Sequence, residues 1–138
     1  MTVRFGPVEE QYARQRLPIG AASPGAARRF TLSTLSAWDL DAHRDIAELL
    51  VSELVTNAVN HGRTTCLLEL TATSTVLRAA VADDGGGAPQ LRYAGPEDES
   101  GRGLAIVDAL ASRWGVEPTP SGKVVWFELN LDSVPSAR

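Results

Sequence analysis

The chain has 138 residues, which suits one domain with room for a buried core. A hydrophobic share of 43% excludes an intrinsically disordered chain, and a net charge of -4 argues against the basic surface that non-specific nucleic-acid binding needs. The lone cysteine, Cys66, excludes an internal disulfide and fits a reducing compartment, and no run of about 18 apolar residues is present to span a membrane.

The N-terminal stretch "MTVRFGPVEEQYARQR" carries acids and lacks an apolar h-region, so no signal peptide and a cytoplasmic location are expected. Residues 1–9 read as irregular. "EQYARQRLPI" (10–19) reads as a strand ending at Pro18. "GAASPG" (20–25) is a loop, and Pro24 opens a helix in the position proline favours. That helix runs through "GAARRFTLSTLSAW", with Ala27, Phe30, Leu32 and Leu35 spaced for one apolar side. After the short connection "DLDAH" (39–43), a second helix is predicted from about Leu40 to Asn60, stopped by Gly62. "TCLLELTAT" and "VLRAAVAD" read as two strands joined at Ser74–Thr75, a hairpin. Residues 84–103 hold six glycines and two prolines, too many for the interior of an element. A third helix is predicted to start near Gly103 and run through "LAIVDALASRWG"; "VEPTPSGK" (116–123) is a turn region, and "VVWFELNL" (124–131) a last strand. The reading is one domain over residues 1–138, of the α/β (α+β) class. A mixed, mostly antiparallel sheet is covered on one face by about three helices in two layers.

Three stretches carry polar residues in unusual places. In "ELVTNAVNHG" (53–62) the helical repeat puts Glu53, Asn57 and His61 in one row, with Ile46, Leu49 and Leu50 upstream on the same side. Taken singly, Glu53 suits a solvated acid, Asn57 a satisfied polar residue near a helix end, and His61 a partner for the helix C-terminus. Together, the carboxylate and amide in an apolar stripe suit a pocket. An asparagine oxygen ligates magnesium, and a glutamate one turn earlier is placed to orient a nucleophile or take its proton. In "VADDGGGAP" a strand ends at Asp83 and meets three glycines. The triplet is either a flexible turn or a place where a flat ligand approaches bare backbone, with Asp83 accepting from an exocyclic amine and Asp84 solvated. In "ESGRGLAIVDALA", Gly101 and Gly103 precede a helix whose unpaired N–H groups suit a phosphate, with Arg102 adding charge. This is neither a Walker A loop nor a dinucleotide fingerprint.

The three pieces in this order resemble the GHKL-type, Bergerat-fold ATP-binding family shared by gyrase, histidine kinases and MutL, among others. "ELVTNAVNHG" is similar to its N box through Glu53 and Asn57. "DDGGG" resembles its first glycine box, read as Asp83-x-Gly85-x-Gly87. "GRGL" resembles the second, through Gly101, Arg102, Gly103 and Leu104. The likeness covers about residues 24–130. It implies ATP and Mg2+ as cofactors, Asp83 on the adenine amine, and Asn57 on the metal. Within the family, "ELVTNAV.H" and "GRGL..VDALA.RWG" look like the stand-alone anti-sigma factor serine kinases. That likeness implies Glu53 as catalytic base and a sigma factor or anti-anti-sigma antagonist as partner. It also implies a role in transcription regulation, no direct contact with nucleic acid or membrane, and a homodimer in many members. The chain departs from the pattern in a short segment between the glycine boxes, in Glu99 where sporulation-type members carry arginine, and in Gly122-Lys123-Val124 where Gly-Thr is common. The alternative is a protein-binding regulator without kinase turnover, with or without a nucleotide. Elsewhere, Trp38, Trp114 and Trp126 read as core or interface aromatics, Cys66 as a buried small hydrophobe, and Arg28 and Arg29 as a solvated pair.

Overall fold

A computed structural model describes residues 10–18, 20, 23–61, 65–83 and 99–132, with residue 61 and residues 99–103 described by backbone alone. The elements in chain order are β1 (Gln11–Pro18), α1 (Ser23–Ala37), a 3-10 turn (Asp41–His43), α2 (Arg44–His61), β2 (Thr65–Ala72), β3 (Val76–Asp83), α3 (Glu99–Leu110), β4 (Arg113–Thr119) and β5 (Gly122–Asn130). The strands form one sheet in the order β1-β2-β3-β5-β4. Every pairing is antiparallel.

Period-two alternation makes the sheet two-faced. On β2, Cys66, Leu68, Leu70 and Ala72 are buried, while the residues between them are half-buried. On β3 the buried set on the same side is Leu77, Ala79, Val81 and Asp83, and on β5 it is Val125, Phe127 and Leu129. These rows meet the helix layer, in which α2 packs between α1 and α3. From α2 come Ala47, Leu50, Val51, Leu54, Val55 and Ala58; Ala27 and Leu35 come from α1, and Val107 from α3. Fully burying a side chain such as Leu54 or Phe127 contributes roughly 1.5–3 kcal/mol.

Local chemistry sets the breaks. Thr73 ties the β2–β3 turn: its hydroxyl accepts from the amides of Thr75 and Val76 at 3.2 and 3.1 Å. Asp39 ends α1 in the left-handed region at φ 63°. Its amide bonds Ser36, and the Leu40 amide reaches back to Leu35 at 2.8 Å. This pair of bonds is the Schellman arrangement, and aspartate tolerates it better than most side chains.

Four expectations change. The buried stripe of α1 is Ser23, Ala27, Thr31, Thr34 and Leu35. Phe30 and Leu32 are only half-buried. Thr31 is accommodated because its hydroxyl donates to the Ala27 carbonyl at 2.8 Å. Leu49 is 41% exposed, so the core side of α2 is rotated away from it. Helix α3 begins at Glu99, so Gly101 and Gly103 lie within it rather than before it. Packing of Leu104 and Val107 outweighs the weak propensity of glycine there. Finally, α3 stops at Leu110, and residues 113–119 are a strand rather than helix end and turn. β4 pairs along β5, with Trp114 packed on the core and its Nε1 donating to Asp108 at 2.8 Å. Pro118 is tolerated because β4 is an edge strand. No helix among the described residues is long and apolar enough to cross a membrane.

Candidate nucleotide site

Chain connectivity brings the N-box residues to the end of the sheet where Asp83 lies. Helix α2 ends at His61 and β2 begins at Thr65. Four Cα–Cα steps span no more than about 14 Å. Cys66, the second residue of β2, pairs in register with Asp83. Glu53 and Asn57 occupy the last three turns of α2, and α2 packs on β3.

Asn57 is only 6% exposed, and its Oδ1 has no hydrogen-bond partner among the described residues. A buried acceptor left unpaired costs about 1–3 kcal/mol, so this oxygen is held against its own solvation. An uncharged oxygen of that kind suits a hard cation or a cation-bound water. Glu53, one turn earlier, is half-buried and retains access to solvent.

Asp83 is the last residue of β3 and faces the helices, with its side chain 1% exposed. A carboxylate so placed needs compensation. Lys123 supplies it: the two residues are directly opposed in register, and Nζ lies 3.3 Å from Oδ2. The partner was not singled out from the sequence, although the alternation of β5 contains the signal. Lys123 shares the parity of Val125, Phe127 and Leu129, all buried.

Gly85 and Gly87 lie outside the described residues. The backbone of Gly101, Arg102 and Gly103 is helical, in the opening turns of α3, and Leu104 is partly buried against the core. Sequence order therefore puts the helix N-terminus before the glycines rather than after them. His43, buried beside α2, has its pKa lowered by burial. It lines a cleft of about 330 Å³ with Trp38, Asp39, Thr73 and Ser74, beside the β2–β3 turn and thus at the opposite end of the sheet from Asp83. That cleft contains none of the candidate residues.

The family model of the histidine kinase-like ATPase domain matches residues 20–129. The chain therefore belongs to the histidine kinase-like ATPase domain family, an ATP-binding class, and its antiparallel α+β sandwich is the fold of that family. An uncharacterized protein of Streptomyces coelicolor is 57% identical over 35 residues, 25% of this chain and 33% of that protein. The chain thus matches about a third of the length of that relative.

Proposed function

We propose that this domain binds ATP with Mg2+ and acts in the cytoplasm as an anti-sigma factor, with serine kinase activity toward an anti-anti-sigma antagonist. The observation that carries the nucleotide part is the buried Oδ1 of Asn57, unpartnered among the described residues one turn after Glu53. The anti-sigma and serine kinase part rests on the likeness of "ELVTNAVNHG" and "GRGLAIVDALASRWG" to that subfamily.

Each residue then has a physical task. Asp83 accepts a hydrogen bond from the exocyclic amine of adenine. Asn57 offers its oxygen to the cation, which when bound neutralises charge on the phosphates. Among the described residues no group of three or more His, Cys, Asp or Glu could hold a metal. A cation here leans on Asn57, nucleotide oxygens and water, as magnesium commonly does. The opening amides of α3, from Glu99 to Arg102, offer the phosphates the positive end of the helix dipole, and Gly101 and Gly103 add no side chains to that turn. Glu53 takes the proton of the attacking serine hydroxyl. Such catalysis is mostly positioning and charge stabilisation, so one base suffices.

Titration calorimetry with Mg-ATP tests the binding half. Wild type should bind, and Asp83→Asn should lose binding because the amide loses the charge and half of the acceptor capacity of the carboxylate. Equal binding by both proteins refutes the adenine contact. Absence of binding in wild type leaves a nucleotide-independent protein-binding regulator. For the chemistry, Glu53→Ala should keep ATP affinity within about threefold and lose phosphoryl transfer to the serine-bearing antagonist by about 100-fold or more, as removal of a general base does. Unchanged transfer excludes Glu53 as the base.

A further inference from the structure

A lysine at the end of a core-facing row is an expensive way to compensate an aspartate. Asp83 and Lys123 are directly opposed on β3 and β5, Nζ is 3.3 Å from Oδ2, and the lysine side chain is only 20% exposed. The next residues inward on the same face, Val81 and Val125, are apolar and also opposed. A valine pair would continue the core without desolvating charges, and a buried ion pair is seldom a net source of stability. The pair therefore calls for a purpose beyond folding.

We infer that Lys123 is a specificity-determining residue of the base site, whose ammonium donates to the ring nitrogen N1 beside the amine that Asp83 accepts. This rests on the ATP-binding reading above. A carboxylate carries about four acceptor sites and an ammonium three donors, so their mutual contact exhausts neither. Held 3.3 Å apart, they present an acceptor next to a donor. The Watson–Crick edge of a 6-aminopurine shows the reverse, the amine donor at position 6 next to the acceptor N1. Matching the two edges gives two charge-assisted hydrogen bonds along one edge of the ring, the stronger class of such bonds. The pairing with Asp83 fixes where the ammonium points. The lysine is thus both the counter-ion of the acid and the second reader of the base.

The test pairs a change in the ligand with a change in the protein. Wild type and Lys123→Met are titrated by calorimetry with Mg-ATP and with the Mg complex of 1-deaza-ATP, in which N1 is replaced by C–H. Wild type should bind the deaza nucleotide about 10- to 100-fold more weakly than ATP, the range of a charged hydrogen bond. Lys123→Met should bind both alike, at about the affinity of wild type for the deaza analogue. Lys123→Gln, which keeps a polar partner for Asp83 if the methionine variant does not fold, should cut the discrimination to below about threefold. Equal binding of the two nucleotides by wild type overturns the inference without any variant. A penalty of the same size in wild type and the glutamine variant overturns it too, because N1 is then read by another group. Wild type that binds neither nucleotide refutes the ATP-binding reading itself, an outcome distinct from both.

Discussion

Removing the side chain of Asn57 should make the nucleotide-free protein more stable, not less. Its Oδ1 is buried without a partner among the described residues. Deleting it recovers about 1–3 kcal/mol of unmet desolvation. Asn57 lies within α2, where alanine is a better helix former by roughly 0.5 kcal/mol. Against this stand the lost contacts of a three-atom amide, about 1 kcal/mol on the scale of one buried methylene. The balance for Asn57→Ala is a gain of about 0.5–2.5 kcal/mol. For a domain of this size, 1 kcal/mol moves Tm by roughly 3 °C, so an upward shift of about 2–8 °C follows.

The assay is a thermal melt followed by circular dichroism, with and without Mg-ATP. At 100 times Kd, ligand adds about 2.7 kcal/mol to wild type. The variant should lose the part of that shift that depends on magnesium, so its lead over wild type shrinks when ligand and metal are present. A variant that melts more than about 3 °C below wild type in the absence of nucleotide refutes the reasoning. Asn57 would then be a structural amide whose oxygen is satisfied in the fold, since that drop is about 1 kcal/mol.

On the opposite face of the sheet, Gly115 of β4 sits against Trp126, where an added Cβ would lie 2.9–3.0 Å from the indole ring. Trp126 is also held by Arg78, whose guanidinium stacks 4.4 Å from the ring centre. Gly115→Ala should therefore cost about 1–3 kcal/mol as an overpacking substitution, read as a lower urea midpoint; an unchanged midpoint shows that β4 shifts freely. His43 gives a pH dependence: burial lowers its pKa below the ordinary 6.5, so the unfolded chain binds the proton more readily. Its contribution is fully present above pH 6.5 and is lost as pH falls through the lower folded value. Between pH 7.5 and pH 5, wild type should lose more Tm than His43→Gln; parallel losses would exclude His43 as a source.

The parts of the fold legible in the sequence are those whose pattern is local. The β2–β3 hairpin follows from alternation on both sides of Ser74–Thr75, β1 from a run closed by Pro18, and α2 from its apolar repeat. β4 was hidden because its residues imitate their neighbours. Val107, Leu110, Ala111 and Trp114 continue a helical spacing, and Pro118 with Gly122 reads as a turn. Pairing with β5 decided otherwise, and only tertiary context supplies it. The buried threonines of α1 were hidden for a similar reason. Thr31 enters the core only because its hydroxyl bonds back to Ala27. In the candidate site, the helix spacing of Glu53 and Asn57 and the strand-end place of Asp83 were readable. The pairing with Lys123 was not, since it needs the β3–β5 register.

That register also explains how a polar site coexists with a sheet core. The inner face is built of cross-strand rows. Three are apolar: Leu68–Val81–Val125, Leu70–Ala79–Phe127 and Ala72–Leu77–Leu129. The fourth, at the strand ends, is Cys66–Asp83–Lys123. One row further in, the same carboxylate would face a valine in place of a lysine and would pay the full cost of a buried charge. At the end row it keeps a lysine that is still one-fifth exposed, so solvent shares the load. The hydrophobic rows carry the stability, and the terminal row is left to chemistry. A substitution in that row that keeps a polar partner for Asp83, such as Lys123→Gln, therefore leaves the three apolar rows untouched, whereas Lys123→Met takes the counter-ion from a buried carboxylate.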